Sequence, residues 1–204
     1  MLSAVVRCWP FLSLLLLLCP ANASAFLTTP ILLARTKPSS SSGTSRPMST
    51  TESVPDKLQK LGLTLPPPPP AKANYVPCVQ VGNLLYLSGH LPTNADGTLH
   101  TGACRSSDDV PRGYAAAQAV ALNLLATIGA HVQGDWSRVK GVVKLFGIVN
   151  SADDFREQHL VLNGASDLLV QVFDGCVHAR SAIGTNTLPL DITVEIEAIV
   201  QLRE

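Results

Sequence analysis

Three charged residues near the C-terminus have types and spacing that fit a small carboxylate-binding site. Arg180 enters an apolar, strand-like stretch, and after a Leu-Pro turn a second such stretch carries Glu195 and Glu197. Because strand side chains alternate between faces, both glutamates point to the same side. A guanidinium pairs with a carboxylate through two parallel hydrogen bonds, which an ammonium cannot match. The same pattern also fits an ion pair at a sheet edge or subunit contact, and spacing alone leaves both interpretations open.

The composition excludes several classes of protein. The chain has 204 residues, of which 46% are hydrophobic and 15% charged, and its formal net charge is zero. Such a chain lacks the basic surface of a nucleic-acid binder, and aromatic residues at 5% are too sparse for base stacking. Cys78, Cys104 and Cys176 are scattered and form no C-x-x-C pair. We therefore expect neither a metal site nor a disulfide framework, and ordinary thiols at all three positions.

The N-terminal quarter of the chain has the composition of a targeting sequence. Residues 1–25 contain an apolar run, too short to span a membrane comfortably, and end in small residues typical of a signal-peptide cleavage site. Residues 26–55 are rich in Ser, Thr and Pro and carry no acid before residue 52, as transit peptides do. Together they resemble the bipartite presequence of algae with complex plastids. We predict a plastid protein with no membrane segment in its mature form; secretion, or a cytosolic product starting at Met48, remain alternatives.

Hydrophobic periodicity over residues 56–204, the predicted domain, gives the order β-β-α-β-α-β-β. Helices are expected at residues 113–131 and from Asp153 onward, after a short helix at 56–63. Strands are expected, with a Gly82-Asn83 turn between the first two, at residues 75–81, 84–88, 142–149, 180–185 and 193–202. This alternation predicts an α+β fold, a mixed sheet with two helices on one face. The other, bare face predicts an oligomer.

With these elements placed, the chain resembles the RidA/YjgF family over roughly residues 58–204. The motifs that carry the resemblance occur in the family's order, and they are Asn74-Tyr75-Val76, the strand ending in Ser88-Gly89-His90-Leu91-Pro92, Arg180, Leu188-Pro189 and Glu195-Ile196-Glu197-Ala198. The resemblance implies a chorismate-mutase-like fold assembled as a homotrimer.

The resemblance also implies an activity and a set of site residues. Founding members of the family hydrolyse reactive enamines and imines, such as 2-aminoacrylate, to 2-keto acids and ammonia without a metal or cofactor. By the resemblance, Arg180 clamps the substrate carboxylate and Glu195 positions or activates water. Tyr75 from the neighbouring subunit and Ser88 line the pocket. His90 lies beside them, where it could bind substrate or shuttle a proton.

The sequence leaves two functions open, both with a small imine or carboxylate as the partner. The first is cofactor-free imine hydrolysis, and the second is a non-catalytic trimer that binds a carboxylate metabolite through Arg180. Ala182 stands where many members carry a cysteine, which leaves the choice of substrate open. Ribonuclease activity, sometimes attached to the family's name, is disfavoured by the neutral charge, the few aromatics and the lack of a paired-histidine motif.

Overall fold

The computed structural model describes residues 52–68, 70 and 74–204. Its helices and strands follow the predicted order, and their bounds are α1 Val54–Lys60, β1 Cys78–Val81, β2 Leu84–His90, α2 Val110–His131, β3 Val139–Asn150, α3 Gln158–Val172, β4 Ala179–Thr185 and β5 Val194–Leu202. All of them fall within one compact unit, Met48–Glu204. The predicted signal peptide and most of the predicted transit segment lie outside the described residues.

The five strands form one mixed sheet in the order β1-β2-β5-β3-β4. All neighbouring pairs are antiparallel except β3 and β4, which are parallel and are joined by α3. A parallel pair needs a crossover connection, and a helix packed on the sheet supplies it. The predicted α+β class, a mixed sheet with two helices on one face, is therefore confirmed.

Helices α2 and α3 cover one face of the sheet and close the core there. Fully buried side chains from both layers meet in it, among them Leu124, Leu125, Ile128, Leu145 and Ile196. The two helices approach so closely that a Cβ on Gly164 would overlap the Tyr114 carbonyl group. The segment Ser107–His131 is long and apolar enough to cross a membrane, but 67% of its most apolar window is buried, as expected of a core helix.

The opposite face of the sheet, which we call the open face, is uncovered and partly apolar. Val79, Tyr86 and Ile183 lie on it with relative exposures of 52%, 43% and 44%. A hollow of about 190 Å³ on this face is lined by residues that include Lys144 and Glu197. Large apolar side chains exposed together mark an interaction surface, which is the feature from which the sequence predicts an oligomer.

Helix α3 begins later than the sequence predicts, at Gln158 instead of Asp153. Phe155 turns its ring into the core, where it is 3% exposed. The carbonyl oxygens of Asp153 and Phe155 accept hydrogen bonds from the Arg156 guanidinium, and that of Phe155 also accepts one from the Gln158 amide. These side-chain donors occupy the carbonyls that a helix starting at Asp153 would use, so the segment forms a turn.

Candidate active site

A β-bulge at the end of β2 shapes the candidate site. Two residues of β2, Ser88 and Gly89, lie opposite one residue of β5, Glu197. An extra residue in one strand bends that strand and redirects the side chains that follow it. Regular alternation would place His90 on the open face with Ser88, whereas the bulge turns His90 toward the helices.

His90 is consequently a core residue. It is 4% exposed, its Nδ1 lies 2.7 Å from the Ser88 carbonyl oxygen, and its Nε2 lies 2.7 Å from the Thr127 hydroxyl on α2. Burial lowers the pKa of the imidazole, so the ring is neutral at neutral pH. Both ring nitrogens are already engaged, and the predicted substrate-binding role of His90 does not fit this position.

Glu195 lies on the open face beside the bulge. Its register partner on β3 is Ile148, and its carboxylate packs against the backbone of Gly89, where a Cβ would overlap it. Burial, and to a smaller extent the neighbouring charge of Glu197, raises the pKa of the Glu195 carboxyl. A carboxylate with a raised pKa is a stronger base than an exposed one. This position therefore suits a general base that takes a proton from water.

Ser88 joins the end of β2 to the segment that carries Tyr75. The Ser88 hydroxyl donates to the Val76 carbonyl at 2.7 Å, and its N–H donates to the Pro77 carbonyl at 2.9 Å. Among the described residues none donates to the hydroxyl oxygen, which leaves its lone pairs available as acceptors. Tyr75 lies in a bend just before β1 and is 45% exposed, so it extends from this protomer instead of packing in its core.

Arg180 is held by helix α3. Its guanidinium donates to the Ser166 hydroxyl at 2.9 Å and to the His159 carbonyl at 3.1 Å. Within the described part of the chain it forms no ion pair with a carboxylate. A guanidinium has five N–H donors, so donors remain for an anionic ligand. Held by neutral partners and half-buried, Arg180 is placed to bind a carboxylate from outside this protomer's own fold.

His178 is the last member of a short hydrogen-bond chain that runs from Arg180 through Ser166. The Ser166 oxygen accepts from Arg180 and lies 3.0 Å from His178 Nε2, so the hydroxyl proton is free to be donated to that nitrogen. Burial and the adjacent guanidinium lower the pKa of His178, which keeps the ring neutral and Nε2 able to accept. His178 Nδ1 is buried and has no hydrogen-bond partner among the described residues. Because the Ser166 hydroxyl donates to His178, its lone pairs are directed toward the Arg180 guanidinium.

One protomer does not bring the two predicted catalytic residues together. Arg180 pairs in register with Leu145, which is fully buried beneath the helices, whereas Glu195 pairs with Ile148 on the open face. Paired residues share a face, so Arg180 and Glu195 lie on opposite sides of the same sheet. The structure does bring Glu195, Ser88 and Gly89 together at the bulge.

Several residues of the candidate site lack a signal in the sequence. Ser166 lies in the middle of α3, and its position against the guanidinium depends on how that helix crosses β4. The role of Gly89 depends on the bulge, which strand alternation does not predict. No group of three or more potential metal ligands of the His, Cys, Asp or Glu type occurs in residues 52–68, 70 and 74–204.

The fold and the arrangement of motifs define the class of protein, and a family comparison agrees. The chain matches the model of the endoribonuclease L-PSP family over residues 67–202. The protein therefore belongs to this family, which is the RidA/YjgF family that the motifs predict.

Three relatives show the range of similarity. TCP17 of Trypanosoma cruzi is 46% identical over 147 residues, which cover 71% of this chain and 91% of that protein. A crystal structure of a protein of unknown function from Agrobacterium tumefaciens has 44% identity and a TM-score of 0.66, covering 74% of this chain and 94% of that one. A 2-iminobutanoate/2-iminopropanoate deaminase of Escherichia coli K12 is 28% identical over 135 residues, covering 66% of this chain and 92% of the enzyme.

Proposed function

We propose that this protein hydrolyses reactive imines and enamines of the 2-aminoacrylate type to 2-keto acids and ammonia, without a cofactor, at a site shared by two protomers. The observation that carries the proposal is the placement of Arg180 and Glu195 on opposite faces of one sheet. Arg180 has donors free for a carboxylate, and Glu195 is poised as a base. Deaminases among the relatives give the reaction class.

The chemistry needs only positioning and one base. Arg180 of one protomer binds the substrate carboxylate through its fork of donors, which orients the imine carbon toward the neighbouring protomer. There, Glu195 takes a proton from water as the water oxygen attacks the imine carbon, and the C=N electron pair moves to nitrogen. Glu195 passes this proton to the nitrogen, which gives a neutral carbinolamine. Glu195 then takes the proton of the carbinolamine hydroxyl and delivers it to the departing nitrogen, so that the C–N bond breaks, the carbonyl of the keto acid forms and ammonia leaves. A base of this kind contributes about 10²–10⁴-fold.

The shared site requires an oligomer, and we propose the homotrimer that the family resemblance implies. The open face offers the surface for it, because Val79, Tyr86 and Ile183 leave apolar area exposed. In this assembly the bulge of one protomer faces β4 of the next, and the exposed Tyr75 reaches the shared pocket. Light scattering that reported a monomer at micromolar concentration would rule out this arrangement.

A coupled assay tests the proposed reaction. Protein beginning at Met48 would be added to a threonine dehydratase that generates 2-aminocrotonate, and release of the keto acid would be timed. We expect faster release with the wild type and a loss of at least about tenfold for Arg180→Ala, because a charge-assisted clamp is removed. Arg138→Ala, at an exposed arginine away from the bulge, is the control for the loss of one positive charge and should keep full activity.

A second outcome would identify the non-catalytic alternative. If no amino-acid-derived imine is hydrolysed faster, titration calorimetry with 2-oxobutanoate would show whether the pocket still binds a carboxylate. Binding that disappears in Arg180→Ala, without turnover by the wild type, would replace the proposed hydrolase with a carboxylate-binding trimer.

A further inference from the structure

A thiol and an imidazole lie side by side at the sheet edge, apart from the candidate active site. Cys78 begins the edge strand β1, and His131 is the last residue of α2. The Cys78 sulfur lies 3.7 Å from His131 Nδ1, and His131 Nε2 lies 2.9 Å from the Gln80 side-chain oxygen. Cys78 pairs in register with Leu87 on the helix-covered face, so this group does not face the open side where Glu195 lies.

The hydrogen bonds of Gln80 determine which nitrogen carries the proton in the neutral imidazole of His131. The Gln80 amide nitrogen donates to the Gly82 carbonyl at 2.8 Å in the hairpin turn, which orients the amide oxygen toward His131. A carbonyl-type oxygen can only accept, so His131 Nε2 must carry a proton. In the neutral ring Nδ1 is then a lone-pair acceptor, and it faces the Cys78 thiol.

We propose that Cys78 is a nucleophilic thiol, with His131 as its base and Gln80 as the group that orients the base, and that it captures soft carbon electrophiles of the α,β-unsaturated carbonyl class. A nucleophile, an adjacent base and a third group that fixes the base are the three parts of an activated nucleophile. Sulfur is polarizable and reacts readily with such carbon centres. Because Gln80 and the edge strand are exposed, small molecules can reach the group.

The step balances without a further reactant. The Cys78 sulfur bonds to the β-carbon of the electrophile, and the C=C electron pair moves toward the carbonyl to form an enolate. The thiol proton passes to His131 Nδ1 and is then returned to the α-carbon, which leaves a thioether and a neutral imidazole. Burial raises the pKa of the Cys78 thiol, so few thiolates exist at rest and proton transfer to His131 has to accompany the attack.

The chain supplies its own control thiols. Cys176 is half-buried, as Cys78 is, but among the described residues it has no imidazole within hydrogen-bonding distance. Cys104 is fully buried in the core and reports on unfolding, because it becomes reactive only if the core opens. In a protein that begins at Met48, these three are the only cysteines.

The test is the rate at which N-ethylmaleimide, an α,β-unsaturated carbonyl probe, labels each cysteine at pH 7, read by mass spectrometry of peptides. We expect Cys78 to react about tenfold faster than Cys176 or more, and His131→Gln to remove most of that excess. The deficit of His131→Gln should shrink at high pH, where the thiol ionises unaided. His100→Gln is the matched control, because His100 also bonds an amide oxygen, that of Asn94 at 2.8 Å.

Two results would overturn the proposal. The first is that N-ethylmaleimide labels Cys78 no faster than Cys176. The second is that Cys78 is labelled at the same rate in His131→Gln as in His100→Gln. If rapid labelling of Cys104 shows that His131→Gln has unfolded, Gln80→Ala at its exposed edge position takes over the test. That variant should slow Cys78 several-fold by freeing the ring, and an unchanged rate would contradict the role of the amide.

Discussion

At the scale of single residues, the account depends on what surrounds two charged side chains. Arg180 is held by neutral hydrogen-bond partners and keeps donors for an external anion. Glu195 is half-buried next to Glu197, and its carboxyl therefore holds its proton to higher pH than an exposed one. The surroundings of Arg180 add no ion pair to the stability of the fold, and those of Glu195 disfavour its charged form. Side chains placed in this way are typical of functional sites.

Replacing Glu195 should separate stability from activity. A carboxyl whose pKa is raised by folding binds its proton more tightly in the folded state, so stability falls as pH rises through the window from the ordinary carboxyl range to the raised value. We expect Glu195→Gln to lose about 10²–10⁴-fold in activity, the contribution of the base, yet to melt slightly higher than the wild type at pH 7. The difference should disappear below about pH 4, where both states of the wild type are protonated. Thermal melts and the coupled assay measure the two effects.

The matched control is Glu197→Gln, the same change on the same face at an exposed position. It should keep turnover, and the acid limb of the rate profile should move to lower pH because one cause of the raised Glu195 pKa is gone. If Glu197→Gln lost activity while Glu195→Gln kept it, the base would be Glu197, and the assignment of Glu195 as the base would be wrong.

At the scale of helices and strands, the bulge in β2 decides which side chains reach the site. It turns His90 into the core and brings Gly89 against Glu195. The strands themselves are predictable from the sequence. The apolar periodicity predicts β5, and the Gly82-Asn83 dipeptide predicts the turn between β1 and β2. The bulge in β2 and the side-chain hydrogen bonds that move the start of α3 to Gln158 are not predictable in this way, because they depend on the detailed packing of the folded chain.

Gly89→Ala tests the part that the bulge plays. The added Cβ would occupy the space of the Glu195 carboxylate, so that side chain must move away from the bulge. We expect activity to fall about tenfold or more while the sheet stays folded. In the Glu195→Gln background the same change should cost almost nothing further, because the two positions act through one contact. Additive losses in this double-mutant cycle would show that Gly89 acts independently of Glu195.

The candidate site itself was only partly predictable. The motifs identify Arg180, Glu195, Ser88 and Tyr75 as residues to consider, and their roles stay predictions. To tell which face of the sheet each side chain occupies, one needs the register of three strands. Arg180 and Glu195 are assigned to opposite faces because their partners on β3 lie on opposite faces. A sequence pattern fixes alternation within a strand but not the pairing between strands.

At the scale of the whole molecule, the N-terminal segment carries a separate proposal about location. We propose that residues 1–25 direct entry into the secretory route and that residues 26–55 direct onward import into a complex plastid. The division rests on the apolar run followed by an acid-free Ser-rich stretch. In the structure, α1 begins at Val54 behind a Ser53 cap, so the first helix already starts within the last residues of this segment.

Fluorescent fusions expressed in an alga with a complex plastid would measure this. Residues 1–55 should send the reporter to the plastid, whereas residues 26–55 alone should leave it in the cytosol. Secretion of the longer fusion would contradict plastid import, and cytosolic fluorescence from both would favour a product that starts at Met48.

The central claim is that one active site is built from two protomers, and mixing inactive variants tests it most directly. The Arg180→Ala and Glu195→Gln proteins would be mixed one to one, dissociated in mild denaturant, reassembled and assayed, with subunit exchange verified by native mass spectrometry. Since each of the two positions in a shared site is wild type with even odds, we expect recovery of about one quarter of wild-type activity. A fully exchanged mixture that stays inactive would contradict the shared site.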